Sequence, residues 1–192
     1  MNRIALGVLG ALFTLSAAVT YSQTATPTIA TDITAADVQT VIKAPTGGGD
    51  RQMKVVDMGK YNVSVGVLRR GPTKPGAPVG AINHTQITEV YYIVSGSGTL
   101  LTGGVVEGAK PLPADGEIVK VAVGPSNQGT FKQPAQSRKV GPGDIVIIPP
   151  GVYHGFTDVA DHVHYVSVRP DPDHVLPAGY AHPLIKEEKA AR

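Results

Sequence analysis

Residues 76–96 read GAPVGAINHTQITEVYYIVSG, and residues 143–158 read GDIVIIPPGVYHGFTD. In the first stretch five residues separate Gly76 from Ile82, one separates Ile82 from His84, four separate His84 from Glu89, and six separate Glu89 from Gly96. In the second, five residues lie between Gly143 and Pro149, one between Pro149 and Gly151, two between Gly151 and His154, and three between His154 and Asp158. The run EVYYIV from Glu89 is rich in β-branched and aromatic residues, as a buried strand is. The run DIVIIP from Asp144 is a second strand, stopped by Pro149-Pro150-Gly151, which must turn. His154 lies just past that turn, on the next strand.

Composition agrees with a strand-rich fold. The chain has 192 residues, enough for one domain with a real core plus extensions. Hydrophobic content is 42%, so global disorder is not expected, and 23 Gly with 16 Pro between short apolar runs favour an all-β fold with many turns. The chain has no cysteine, which excludes disulfides, thiolate metal sites and Cys nucleophiles. A net charge of +2, with basic residues scattered along the sequence, argues for no nucleic-acid partner and no anionic membrane surface.

Outward from the two stretches, residues 1–22 read as a secretory signal: Arg3, then the apolar IALGVLGALFTLSAAV, then small residues. Cleavage makes the domain an exported one, periplasmic or secreted, with no membrane contact afterwards. The alternative is an uncleaved N-terminal anchor, although the apolar run is short for a span of about 20 residues. Residues 23–49 form a lead and a short helix. Thr34 with Asp37 is a capping-box variant, Ile33 with Val38 a hydrophobic staple, and the helix is expected over Ala35–Lys43, stopped by Pro45 and Gly47–Gly49.

The barrel proper is expected over residues 50–170. Strands are predicted at 51–59 and 61–70, the second with Val63, Val65 and Val67 alternating with Asn62, Ser64 and Gly66. Ser95–Gly98 turns the chain into a return strand at Thr99–Thr102. Between Ser97 and Pro142 the sequence predicts a strand at Glu117–Val123 and a polar section over Gly124–Ser137, together an extra hairpin with a surface loop. Val163–Val168 is the last strong strand. Residues 171–192 form a Pro-rich tail, lying on the barrel or reaching a partner subunit, with a charged end at Lys186–Arg192.

The two stretches resemble the paired motifs of the cupin superfamily, G(X)5HXH(X)3–4E(X)6G and G(X)5PXG(X)2H(X)3N. Every spacing fits. Two residues depart: Ile82 stands where the first His of the pattern belongs, and Asp158 where its Asn belongs. The resemblance implies a single cupin jelly-roll barrel of two antiparallel sheets behind a short N-terminal helix, and a homodimer. It also implies a divalent metal, Fe, Mn, Ni or Zn, held by His84, Glu89 and His154. Imidazoles and a carboxylate suit any of these ions. Strands suit the task because alternate side chains leave on one face.

Other residues compete for roles. Gln86 shares strand parity with His84 and offers an amide oxygen to the metal. Tyr91 shares the face of Glu89 and is a candidate general acid or substrate donor, against the plainer reading of a packed aromatic. Tyr153 is placed at the rim, Phe156 on the wall, and Asp158 in a turn. His162 and His164 form an HXH pair, read as ordinary histidines of a structural strand; His174 and His182 are read as surface residues of the tail. No phosphate loop and no nucleophile elbow is present.

The resulting expectation is a metal-dependent enzyme acting on a small organic molecule, of the dioxygenase, isomerase or lyase class. The alternatives are a small-ligand binder without turnover and a structural remnant that has lost its metal. Ile82 bears on all three, because it removes a fourth ligand.

Overall fold

The computed structural model describes residues 26–45 and 48–185. The expected secretory signal and the charged C-terminal end lie outside the described residues. Helix α1 (Ala35–Lys43) starts where its capping residues put it. Thr34 Oγ1 accepts from the Asp37 N–H at 3.1 Å, and Asp37 Oδ2 accepts from the Thr34 N–H at 2.9 Å, so two donors at the helix start are satisfied reciprocally. Its apolar stripe, with Ile33 and Val38, packs on Met53, Val67 and Ile185 and so fixes the helix to the barrel wall.

The strands are β1 (Asp50–Asp57), β2 (Asn62–Arg70), β3 (Gly80–His84), β4 (Glu89–Gly96), β5 (Gly98–Pro111), β6 (Ser126–Val140), β7 (Ile145–Ile148), β8 (His154–Thr157) and β9 (Val163–Asp171). One sheet has the order β1-β2-β9-β4-β7 and the other β3-β6-β5-β8. All pairings are antiparallel, and a single pair, Ile82 opposite His154, joins β3 to β8. This is the two-sheet jelly roll expected from the sequence.

The space between the sheets is graded along β2 and β9. Leu68 faces Tyr165, Gly66 faces Ser167, Ser64 faces Arg169 and Asn62 faces Asp171. All eight are buried. One end is therefore apolar and continuous with Tyr91, Ile93, Leu100 and Val146. The other end is polar. The period of two in β2 is real, but Asn62 and Ser64 occupy the buried face while Val63 and Val65 are half-exposed.

Two expectations change in the region 97–142. Glu117–Val123 is not a strand; Val119–Val123 forms a π-helical turn whose Val119, Ala122 and Val123 are buried. The polar section over 124–137 belongs mostly to β6, which pairs with β5 along a hairpin of 14- and 15-residue strands. These two strands are half of the second sheet rather than an addition to it. Their outer portions are largely exposed on both faces, so backbone pairing holds them and the apolar period that announces a strand is missing.

The tail lies on the barrel. Tyr180 O accepts from Val55 N at 2.9 Å, Val55 O accepts from Gly179 N at 2.9 Å, and His182 N donates to Met53 O at 2.7 Å. Leu176 packs on Val55 and Ile87. The segment thus covers the free edge of β1, where unpaired backbone groups would otherwise stand open.

Candidate metal centre

The two motifs are stitched together by backbone bonds. Gly151 N donates to His84 O at 2.7 Å, and Asn83 Nδ2 donates to Gly151 O at 3.0 Å. Asn83 Oδ1 accepts from Asn127 N at 3.1 Å, which ties β3 to β6. His84 at the end of β3, Glu89 at the start of β4 and His154 at the start of β8 are thereby brought to one point. They form the one group of three His, Asp or Glu side chains with converging ligand atoms among the described residues, and all three are buried.

His84 Nε2 lies 3.2 Å from Glu89 Oε2, and His154 Nε2 lies 3.2 Å from the same oxygen. The other nitrogens fix the tautomers. Ser126 Oγ donates its proton to Gly124 O at 2.9 Å, so towards His84 Nδ1 at 2.8 Å it accepts, and Nδ1 carries the hydrogen. His154 Nδ1 faces Val152 O at 3.1 Å, and a carbonyl only accepts. With the ring hydrogen on Nδ1, an imidazole in either position turns Nε2 toward the same carboxylate oxygen. Burial holds the pKa of His84 below its ordinary value, against the pull of Glu89. Burial likewise opposes ionisation of Glu89, but the Arg169 charge outweighs it and holds the carboxyl well below the usual range.

Three lone-pair donors aimed at one point, with no proton between them, fit a divalent cation. Two ligand atoms each about 2.1 Å from an ion, at angles between octahedral and tetrahedral, stand about 3.0–3.4 Å apart. The two His–Glu separations fall in that interval.

Behind Glu89 lies a polar network that sequence reasoning missed. Glu89 Oε1 accepts from Ser167 Oγ and from Arg169 Nε, each at 2.9 Å. Arg169, fully buried, also donates to Asp50 Oδ2 at 2.5 Å, Gln52 Oε1 at 3.2 Å and Ala122 O at 2.9 Å. Its guanidinium needs Gly66: a Cβ there would lie 2.9 Å from Arg169 Nη1. The available signal was the alternation Tyr165, Ser167, Arg169, Asp171 in β9, a polar face inside a strand otherwise rich in valine. Burial would lower the pKa of Arg169, but Asp50 and Glu89 reverse that and keep it charged.

Tyr91 donates to Glu89 Oε2 at 2.8 Å, and its ring stands edge-on to His154 at 6.0 Å and against Tyr165 at 4.3 Å. Burial and then the Glu89 charge push its hydroxyl well above its usual pKa, so it remains a phenol and a donor. Gln86 is not brought to the centre: its amide points to Asp173 Oδ2 at 3.5 Å, and it does not line the cavity beside the histidines. Ile82 does line that cavity, as do His84, Tyr91, His154 and Phe156. His182, expected on the surface, is half-buried at the same cavity. His174 is exposed. Asp158 takes the left-handed turn conformation, φ 52°, which Asn and Asp tolerate best after Gly. His162 and His164 stack at 4.4 Å and share Ser95 Oγ, away from the metal group.

The cavity has a volume of about 1030 Å³ and opens to solvent. The two imidazoles stand in its wall, whereas Glu89 is sealed behind them.

No protein-family model and no curated protein sequence matches this chain. Solved structures do match. It is similar to the BH2720 protein of Bacillus halodurans, at 14% identity and TM-score 0.47 over 79% of this chain and 87% of that one. It is also similar to an uncharacterised conserved protein with a double-stranded β-helix domain from Klebsiella pneumoniae, at 17% identity and TM-score 0.38 over 68% and 84% of the two chains. A third is the cupin domain of Cnp3 from Schizosaccharomyces pombe, at 9% identity and TM-score 0.41 over 68% and 71%. The strand order makes this chain a two-sheet jelly roll of the cupin type, and His84, Glu89 and His154 meet between its sheets as a group that could hold a metal ion.

Proposed function

We propose that this protein is a metal-dependent cupin that holds a divalent cation through His84 Nε2, Glu89 Oε2 and His154 Nε2 and acts on a small organic molecule in the adjoining cavity. The observation that carries this reading is the convergence of two buried imidazole nitrogens on one buried carboxylate oxygen, each at 3.2 Å. Bound there, the ion would supply Lewis acidity at positions open to the cavity, suited to dioxygenase, isomerase or lyase chemistry.

The chain's own residues do the rest. Ser126 and Val152 O hold the two imidazole rings in the ligating tautomer. Arg169, Ser167 and Tyr91 fix the Glu89 carboxylate. Ile82, Phe156 and Leu68 make part of the cavity wall apolar, which favours an organic substrate and limits water. A second reading, a binder without turnover, is favoured by Ile82, which leaves three protein ligands where the pattern has four.

The reading extends to export through residues 1–22 and to a homodimer. The outer face of the first sheet supports self-association. Tyr92 stands opposite Ile145 and Val166, and Val90 opposite Ile147 and Val168, a patch with no charged side chain. Such a face can meet its own copy across a two-fold axis without like charges clashing.

Elemental analysis of the purified chain beside His84→Ala and His154→Ala tests the metal. About one ion per chain in the wild type, lost in both variants, is expected. A wild type that stays metal-free after reconstitution with Fe(II), Mn(II), Ni(II) and Zn(II) would overturn the reading.

A further inference from the structure

The basic residues, scattered in sequence, gather around the cavity: Arg51, Arg69, Arg70 and Lys110 line it, against Asp50 and Glu117. Three of the four cations are accounted for. Arg51 caps the chain leaving α1, donating to Val41 O, to Ala44 O at 2.9 Å and to Gly48 O at 3.1 Å. Arg69 and Lys110 are exposed to solvent. Arg70 differs. It is half-buried, its Nε donates to Tyr165 Oη at 3.1 Å, and its guanidinium carbon stands 6.0 Å above the Tyr165 ring.

Nη1 and Nη2 of Arg70 have no hydrogen-bond partner among the described residues, and no carboxylate there lies within 4.0 Å of the group. Asp50, the neighbouring acid, has Oδ2 committed to Arg169 at 2.5 Å. Asp50 acts on Arg70 through space without bonding it, so the terminal nitrogens of a partly desolvated guanidinium are left to be satisfied by a carboxylate that can reach them. These two free terminal nitrogens form the planar fork that matches a carboxylate. The fork is held at the cavity by aromatic packing that also reaches the metal group: Arg70 on Tyr165, Tyr165 on Tyr91, Tyr91 on Glu89 and His154.

We infer that the cavity takes a small organic carboxylate, with its carboxylate group held by Arg70 and the remainder of the molecule directed at the His84–His154 wall. This rests on the proposed metal-dependent function and specifies its substrate class. The apolar wall of Leu68, Ile82 and Phe156 fits the carbon part of such a molecule.

The test is calorimetric titration of the wild type, with and without bound metal, using propionate and benzoate against propionamide and benzamide. The same titrations are made on Arg70→Gln and Arg70→Lys, with metal content measured in every sample. The expected result is that each acid binds the wild type at least about tenfold more tightly than its amide, a preference lost in Arg70→Gln and reduced in Arg70→Lys. Metal content should stay unchanged in both variants. Equal binding of acid and amide by the wild type would overturn the inference, as would an acid preference that survives Arg70→Gln. If a variant does not fold, the acid–amide comparison on the wild type decides alone. An acid preference in a wild type that takes up no metal on reconstitution would support the Arg70 site while the metal reading fails, so the two failures are told apart.

Discussion

Ile82 and His154 are cross-strand partners on the single rung that joins β3 to β8. Ile82, at the position of the motif's first histidine, therefore sits beside His154, on the same strand face as His84 and on the wall of the cavity. Ile82→His should supply a fourth imidazole. Competition with a chelator should show Ni(II) or Zn(II) held at least about tenfold more tightly than by the wild type. Unchanged affinity would mean that position 82 does not reach the ion.

Ser126 fixes which nitrogen of His84 is bare. Ser126→Ala should weaken metal binding by about 10–100-fold while leaving one ion per chain at saturation. A variant with wild-type affinity would show that the serine plays no part in holding the ring.

Among the described residues Arg169 is the only Arg or Lys bonded to Glu89, and it also holds Asp50. Arg169→Met leaves two acids in the polar end of the barrel without their partner. The loss expected in urea denaturation of the metal-free protein is about 3–5 kcal/mol.

Acid should expose the same network in the metal-free chain. The folded pKa of Glu89 lies below its unfolded value of about 4.3. The unfolded state thus takes up the proton first as pH falls. The Glu89 contribution is complete above the unfolded value and is lost as pH drops through the folded one. Urea midpoints recorded across this range should fall more steeply for the wild type than for Glu89→Gln. Parallel curves would place the acid sensitivity elsewhere.

Light scattering after size exclusion should give the mass of a dimer. Ile147→Lys, on the uncharged outer face where Ile147 is 67% exposed, should give a monomer with an unchanged metal content. A dimer that survives the substitution would move the interface to another face.

The parts of this molecule that were legible in its sequence are those written in local chemistry. The helix start at Thr34, the two motif turns and the strands around Glu89 and Ile145 all follow from caps, prolines and β-branched runs. The three side chains that converge were legible because their spacing is a recurrent pattern. Gln86 was admitted on strand parity alone, but β3 ends at His84, so parity no longer holds two residues later. The π-helical turn at Val119–Val123 was hidden because VKVAV reads equally well as a strand. Arg169 was hidden for a different reason: its partners Asp50, Gln52 and Ala122 are 47 residues or more away, and no local pattern couples them.

Strand β9 is the last strand among the described residues and the one on which the Glu89 carboxylate depends. It lies between β2 and β4, which have no pairing with each other, and it brings Ser167 and Arg169 to Glu89. Synthesis from the N-terminal side delivers His84 and Glu89 more than seventy residues before Ser167 and Arg169, which anchor the carboxylate. Anchoring of the Glu89 carboxylate is therefore a late event, completed only when β9 has closed back on β2 and β4.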